Sequence, residues 1–306
     1  MEKRQIGSLK VSLAGLGCNN FGWRIDADGT AAVVNAALEA GINFFDTADV
    51  YGSGQSEEYL GRALKGRRDK VLIATKFGMK MGEGKEGGKP AYIRQAAEDS
   101  LRRLGTDHID LYQIHRADPS TPIADTLGAL HELAKAGKVR EIGCSNFSAE
   151  QLREAGRFVS VQNNYSLLHR EPEAEVLPEC QRLGIAFLPY FPLANGLLTG
   201  KYRKGQPFPK SSRAEDGFGP KVFTDENLAL AEQLGRFAES RGHTLLELAM
   251  SWLASKGTIA SIIAGAKTPE QVKANASAVA WRLTDADLTA VDGILGLAAH
   301  NAGHNG

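Results

Sequence analysis

Three short apolar runs end on an ionisable side chain. "INFFD" closes on Asp46, "VLIATK" on Lys76 and "HIDLYQIH" on His115, while Tyr51 stands on the loop that follows Asp46. A carboxylate and an ammonium that pair keep one another charged, and a cation beside a phenol favours the phenolate and lowers its pKa. Asp46, Lys76 and Tyr51 can therefore be wired as one proton donor, with Tyr51 able to give up its proton near neutral pH. Singly, each of the four also has an ordinary structural part open to it, as a loop cap, a rim aromatic or a solvated charge. Their occurrence together at successive run ends is what points to chemistry.

The elements that must hold them are set out by glycine. Gly41, Gly66, Gly105, Gly137, Gly156, Gly184 and Gly257 each close a helix-like segment and precede an apolar, β-branched or aromatic run. Glycine just past a helix takes the left-handed conformation that ends the last turn, so each marks a helix stop before a strand. With the early run "SLAGLG" there are eight predicted strands. Between them lie amphipathic helices: Ile93, Ala97, Leu101 and Leu104 share one face, and Ile123, Leu127, Leu130 and Ala134 share another. Pro90 and Pro122 sit where a first helical turn tolerates them. Short strands that are apolar on both faces and alternate with helices imply a parallel sheet with right-handed crossovers.

Such a sheet is either a closed eight-fold barrel or an open doubly wound sheet. An open dinucleotide-binding sheet carries GxGxxG after its first strand, and "LAGLGCNNFG" lacks the third glycine. Gly52-Ser53-Gly54 fails the same test at Glu57, so that glycine pair reads as a turn, with Ser56 as the N-cap of the next helix. The expected fold class is thus α/β, a (β/α)8 TIM barrel forming a single domain over residues 1–306. An N-terminal β-hairpin around Gly7-Ser8 would plug its bottom. Residues 203–222, polar and rich in Pro and Gly, are expected to form a lid that closes over a bound cofactor, and residues 298–306 a flexible tail. In a barrel, function gathers where strands end and βα loops begin. Those ends add Ser145, Asn146, Gln162 and Tyr190 to the ionisable set.

Composition narrows the partners. Lys+Arg and Asp+Glu both number 36, so no overall field favours nucleic acid or an anionic membrane, and a small neutral molecule is the expected partner. Cys18, Cys144 and Cys180 leave an odd thiol under any pairing and show no CxxC spacing, which fits reduced thiols and a cytoplasmic location. "MEKRQIGSLKVS" has no apolar run of signal-peptide or membrane-spanning length. Oligomeric state leaves no signature.

The segments "FFDTADVYGSGQSEEYLGRAL", "IATKFG", "DLYQIHR", "GKVREIGCSNFSAEQL", "VQNNYSLLHR" and "PLANGLLTGKY" together resemble the aldo-keto reductases, from about Ile6 to about Asn275. The resemblance implies a (β/α)8 barrel that transfers hydride from a nicotinamide cofactor, usually NADPH with NADH possible, to an aldehyde or ketone. It implies that Asp46, Tyr51, Lys76 and His115 are the catalytic set, His115 orienting the carbonyl. It further implies that Ser145, Asn146 and Gln162 anchor the carboxamide and that Tyr190 stacks on the nicotinamide. Phe191, Pro192, Leu193, Gly196, Leu198 and Lys201 would belong to the loop over the pyrophosphate. Many members place Lys-Ser and then Arg at the adenosine 2′-phosphate. Here Gly265-Ala266 and Gln271 occupy those places, leaving Lys267 and the helix N-terminus near Thr268, with Asn275 beyond. Phe21, Trp23 and Met79 are candidates for the substrate wall. Two other functions stay open: a cofactor-binding regulatory subunit, and a lyase using Lys76 as a Schiff base.

Overall fold

In the computed structural model, residues 1–210, 212–214 and 221–296 are described. Ser211 and residues 215–220 of the expected lid lie outside them, as does the expected tail over 298–306. Strands β1 (Lys3–Ile6) and β2 (Leu9–Ser12) pair as an antiparallel hairpin. Strands β3 (Ala14–Gly17), β4 (Phe44–Asp46), β5 (Leu72–Phe77), β6 (Ile109–Ile114), β7 (Val139–Ser145), β8 (Ser160–Asn164), β9 (Ala186–Tyr190) and β10 (Ile262–Gly265) follow in order and close into a parallel barrel. Around it run α1 (Ala27–Glu39), α2 (Gln55–Ala63), α3 (Pro90–Leu104), α4 (Ile123–Lys135), α5 (Ala149–Ala155), α6 (Val176–Leu183), α7 (Asp225–Ser240), α8 (Leu245–Ala254), α9 (Pro269–Ser277) and α10 (Asp285–Ile294).

The two-residue period of a strand sorts its side chains between two cores. Phe45, Ile73, Tyr112 and Val161 point outward into the apolar layer under the helices. Phe44, Ala74, Leu111 and Leu188 point inward, where they meet Ile6, Leu9 and Val11 of the hairpin. The hairpin therefore plugs the N-terminal end of the barrel, as the sequence suggests. Arg4 pins it there by donating to the carbonyls of Ala254, Lys256 and Ile259. One step of the same period further along each strand brings Asp46, Lys76, Gln113 and Gln162 inward at the opposite end, all buried.

Helix ends show where glycine is required. Gly105, Gly156 and Gly184 close α3, α5 and α6 in the left-handed conformation, with φ of 63°, 62° and 67°. Gly257 does not. The helix before it ends at Ala254 with Ser255 right-handed, and the strand begins at Ile262 rather than beside the glycine. The Ser56 cap is also corrected. Gly54 precedes α2 with φ 96°, and the buried Ser56 hydroxyl instead donates to the Cys18 carbonyl at 2.9 Å and meets the Thr47 hydroxyl at 2.8 Å.

Behind the site α2 and α3 are tied by charge. Glu57, fully buried, accepts from the Thr75 hydroxyl and from Arg103 Nε, both at 2.6 Å. Removing one member of such a pair strands the other as an uncompensated buried charge, at a cost of about 3–5 kcal/mol. Arg103→Met should therefore lower the unfolding midpoint strongly in a denaturant titration, and adding Glu57→Gln should recover part of the loss. A double variant no better than Arg103→Met alone would show that packing, not charge, carries the contact.

Candidate active site

The mouth of the barrel opens into a cavity of about 560 Å³. At its floor Lys76 Nζ donates to Asp46 Oδ1 and Oδ2 at 2.5 and 2.8 Å and to the Thr47 carbonyl at 2.9 Å. Asp46 Oδ2 also accepts from Gln162 Nε2 at 2.9 Å and from Gln113 Nε2 at 3.4 Å. Lys76 is fully buried, and its ammonium lies 5.2 Å from the centre of the Tyr51 ring. Tyr51 and His115 face each other edge to face, 5.9 Å between ring centres, and both line the cavity with Asp46. The four ionisable residues read from the sequence are thus brought together.

Their charge states differ from one sequence-based expectation. Lys76 does act to lower the Tyr51 pKa, but burial of the phenol is the larger effect and moves it above its ordinary value. Tyr51 therefore stays protonated through neutral pH. Burial works against the Lys76 charge, yet Asp46 and then Tyr51 outweigh it and hold the ammonium charged. His115 is pushed down to about 3 by burial, then by Lys76 and Arg116, and so is a neutral imidazole. A buried Lys76 held cationic by Asp46 is a poor amine nucleophile, which counts against the lyase alternative.

Ser145 ends β7 and Asn146 follows it, Gln162 lies on β8 and Tyr190 ends β9, and all four border the cavity. Tyr190 donates to Asn146 Oδ1 at 2.8 Å, Asn146 Nδ2 to the His115 carbonyl at 3.0 Å, and Ser145 Oγ to the Gln162 carbonyl at 2.7 Å. Beyond them Phe191, Pro192, Leu193, Gly196 and Lys201 line one wall, and Gly265, Lys267, Gln271 and Asn275 line another. The Thr268 hydroxyl caps α9 by accepting from Gln271 N, and the Gln271 side chain accepts from Lys267 N. Phe191, Ala194 and Asn195 hold positive φ of 51°, 45° and 56°. Such strain is characteristic of loops shaped to receive a ligand.

Three expected residues fall elsewhere. Leu198 is fully buried in the outer core, and Phe21 likewise. Trp23 is 51 % exposed and outside the cavity lining, with the Arg24 guanidinium 4.6 Å from its ring centre. Met79 does line the cavity. Cys18, Asn19 and Asn20 also line it, immediately after β3, where the strand-end rule applied to the first barrel strand would have found them. Arg116, two residues past β6, would have been found the same way, whereas Arg24, Ser212 and Arg213 carried no such signal. The described part of the expected lid thus supplies Ser212 and Arg213 to the cavity wall.

Comparison with known proteins places the chain. The family model described as "Aldo/keto reductase family" matches residues 14–295. The chain is 37% identical over 300 residues to aldo-keto reductase YhdN of Bacillus subtilis (strain 168), covering 94% of this chain and 91% of that one. It is 35% identical over 292 residues to probable aldo-keto reductase 1 of Glycine max, covering 92% and 84%. Among solved structures, the glycerol dehydrogenase AKR11B4 from Gluconobacter oxydans superposes with a TM-score of 0.85 at 35% identity, covering 99% and 97%. The holo form of aldo-keto reductase AKR11C1 from Bacillus halodurans gives 0.82 at 35%, covering 99% of each. The chain belongs to the aldo/keto reductase family. It is an oxidoreductase acting on carbonyl and alcohol groups with a nicotinamide cofactor. Among the described residues no helix is long and apolar enough to cross a membrane.

Asp49 gives a test of the electrostatics around this site. It is 2 % exposed on the loop between Asp46 and Tyr51, and burial, then the nearby Glu57, raise its pKa to about 7. Its carboxyl holds a proton in the folded state that the unfolded chain has released above about pH 4. Stability from this group is therefore fully present below about pH 4 and is lost progressively as pH rises to about 7. Asp49→Asn should gain on the parent in melting temperature as pH rises from about 4 to about 7, so that its advantage at pH 8 is clearly larger than at pH 5. A difference that does not change between those two pH values would contradict a buried, protonated Asp49.

Proposed function

We propose that the protein reduces an aldehyde or ketone to an alcohol with NADPH, Tyr51 being the proton donor. The observation that supports this most is the packing of the Tyr51 ring on the buried Lys76–Asp46 pair at the cavity, with His115 across from it. The cofactor supplies hydride to the carbonyl carbon. Hydrogen bonds aimed at the carbonyl oxygen lower the barrier, because charge develops there. Tyr51 and the neutral His115 offer two such bonds, and Tyr51 gives its proton to that oxygen, a far stronger base than phenolate. Lys76, fixed by Asp46, steadies the phenolate left behind.

The cavity residues fit a dinucleotide. Ser145, Asn146 and Gln162 supply amide and hydroxyl groups for a carboxamide, and Tyr190 an aromatic face. Lys201, Lys267, Arg24 and Arg213 supply positive charge for phosphates, beside the left-handed turn at Phe191–Gly196. Each of Lys201, Lys267 and Arg213 is less basic than usual, first through burial and then through repulsion from the others. Polyanion binding relieves that repulsion. Lys267 and the first turn of α9 are the groups we assign to the 2′-phosphate, which favours NADPH over NADH.

Tyr51→Phe should abolish carbonyl reduction, followed as loss of NADPH absorbance with 4-nitrobenzaldehyde, while fluorescence titration gives nearly the parent cofactor affinity. Turnover retained in that variant would sink the assignment. Lys267→Ala should weaken NADPH by about fivefold to tenfold and leave NADH nearly unchanged, since an ion pair of this kind contributes about 1 kcal/mol. Equal NADPH affinity in parent and variant would exclude Lys267 from the 2′-phosphate site.

A further inference from the structure

Among the described residues five cations line the cavity, Arg24, Arg116, Lys201, Arg213 and Lys267, and the single carboxylate there, Asp46, is bonded to Lys76. Four of the five form one group. Lys201 is repelled by Lys267, Arg24 and Arg213, and Lys267 by Arg24 and Arg213. Lys201, Lys267 and Arg24 belong to the part of the cavity assigned above to the cofactor phosphates, and Arg213, which they share, also interacts with Tyr51. Arg116 stands apart. It follows His115 directly, on the loop after β6, at the carbonyl end of the cavity. Its charge contributes to the lowered pKa of His115, after burial and Lys76, and pulls back on Tyr190, which burial raises.

Arg116 is exposed, and among the described residues no carboxylate forms an ion pair with it. A guanidinium at the rim of a reaction site, next to the group that would orient the substrate oxygen, presents a planar fork that matches a carboxylate.

The geometry points to Arg116 as the specificity residue that selects aldehydes or ketones carrying a carboxylate. The inference rests on the reductase reading above and adds the substrate class to it. The carboxylate of the substrate meets the Arg116 guanidinium, while the carbonyl lies between Tyr51 and His115. Closure of substrate over this end removes water from the pair and strengthens it relative to an exposed surface contact.

The test uses 2-, 3- and 4-carboxybenzaldehyde, each against its own methyl ester, with NADPH. The three isomers set the carboxylate at different distances from the carbonyl, and each ester has nearly the same shape without the charge. In the parent protein at least one acid should be reduced with a kcat/KM about tenfold above its ester, the size expected of a charge-assisted hydrogen bond. Arg116→Gln should lower kcat/KM for that acid about tenfold more than for the ester, through KM rather than kcat, and added salt should erode the parent's preference. No acid preferred over its ester, or equal losses on acid and ester in Arg116→Gln, would overturn the inference. Failure of the parent to reduce any of the six aldehydes, with cofactor bound, would overturn the reductase reading and this inference with it.

Discussion

The buried contact between Asp46 and Lys76 is the constraint on which the rest depends. Two ions taken out of water incur a large desolvation penalty, which is offset only when geometry and further hydrogen bonds are complete. Completion here needs four strands. Asp46 comes from β4, Lys76 from β5, Gln113 from β6 and Gln162 from β8, and both amides turn to the same carboxylate oxygen. A slip of one residue in any of these strands would turn its polar side chain outward into the apolar layer and leave a buried charge short of a partner. Closure of the barrel and assembly of the site are therefore one event.

That dependence explains why so much could be read in the sequence. Strand ends are marked twice, by the glycine that stops each preceding helix and by a polar side chain where an apolar run finishes, and the two signals agree at Asp46, Lys76 and His115. Period-two alternation then fixes which residues face inward. What escaped depends on tertiary distance or on local competition. Ser56 has the residue type of a cap, but a buried hydroxyl with two partners close by is held more firmly inside than at a helix end. Trp23 and Phe21 lie on the loop after β3, where no periodicity says which side chain turns inward; Phe21 is drawn into the core and Arg24 reaches the cavity in their place. The direction of the Tyr51 shift is not legible in the sequence, because neighbours are visible there and depth of burial is not.

The cavity is built from opposites. Its floor is neutral overall, the ion pair cancelling and His115 uncharged, whereas its walls carry several cations that repel one another. Neutrality at the floor suits a reaction in which charge must appear on a substrate oxygen and then be quenched by a proton. Positive walls suit ligands that bring their own negative charge, and they raise the local concentration of such ligands before any contact forms. The left-handed residues from Phe191 to Gly196 add backbone strain to the same wall.

The hairpin of β1 and β2 has a consequence for traffic through the molecule. With Ile6, Leu9 and Val11 filling one end of the barrel, reactants reach the cavity from the opposite end. Whatever lies deepest must arrive before, and depart after, whatever sits above it. A stopper at the bottom thereby imposes a queue at the top, and the order of that queue is decided by depth rather than by affinity.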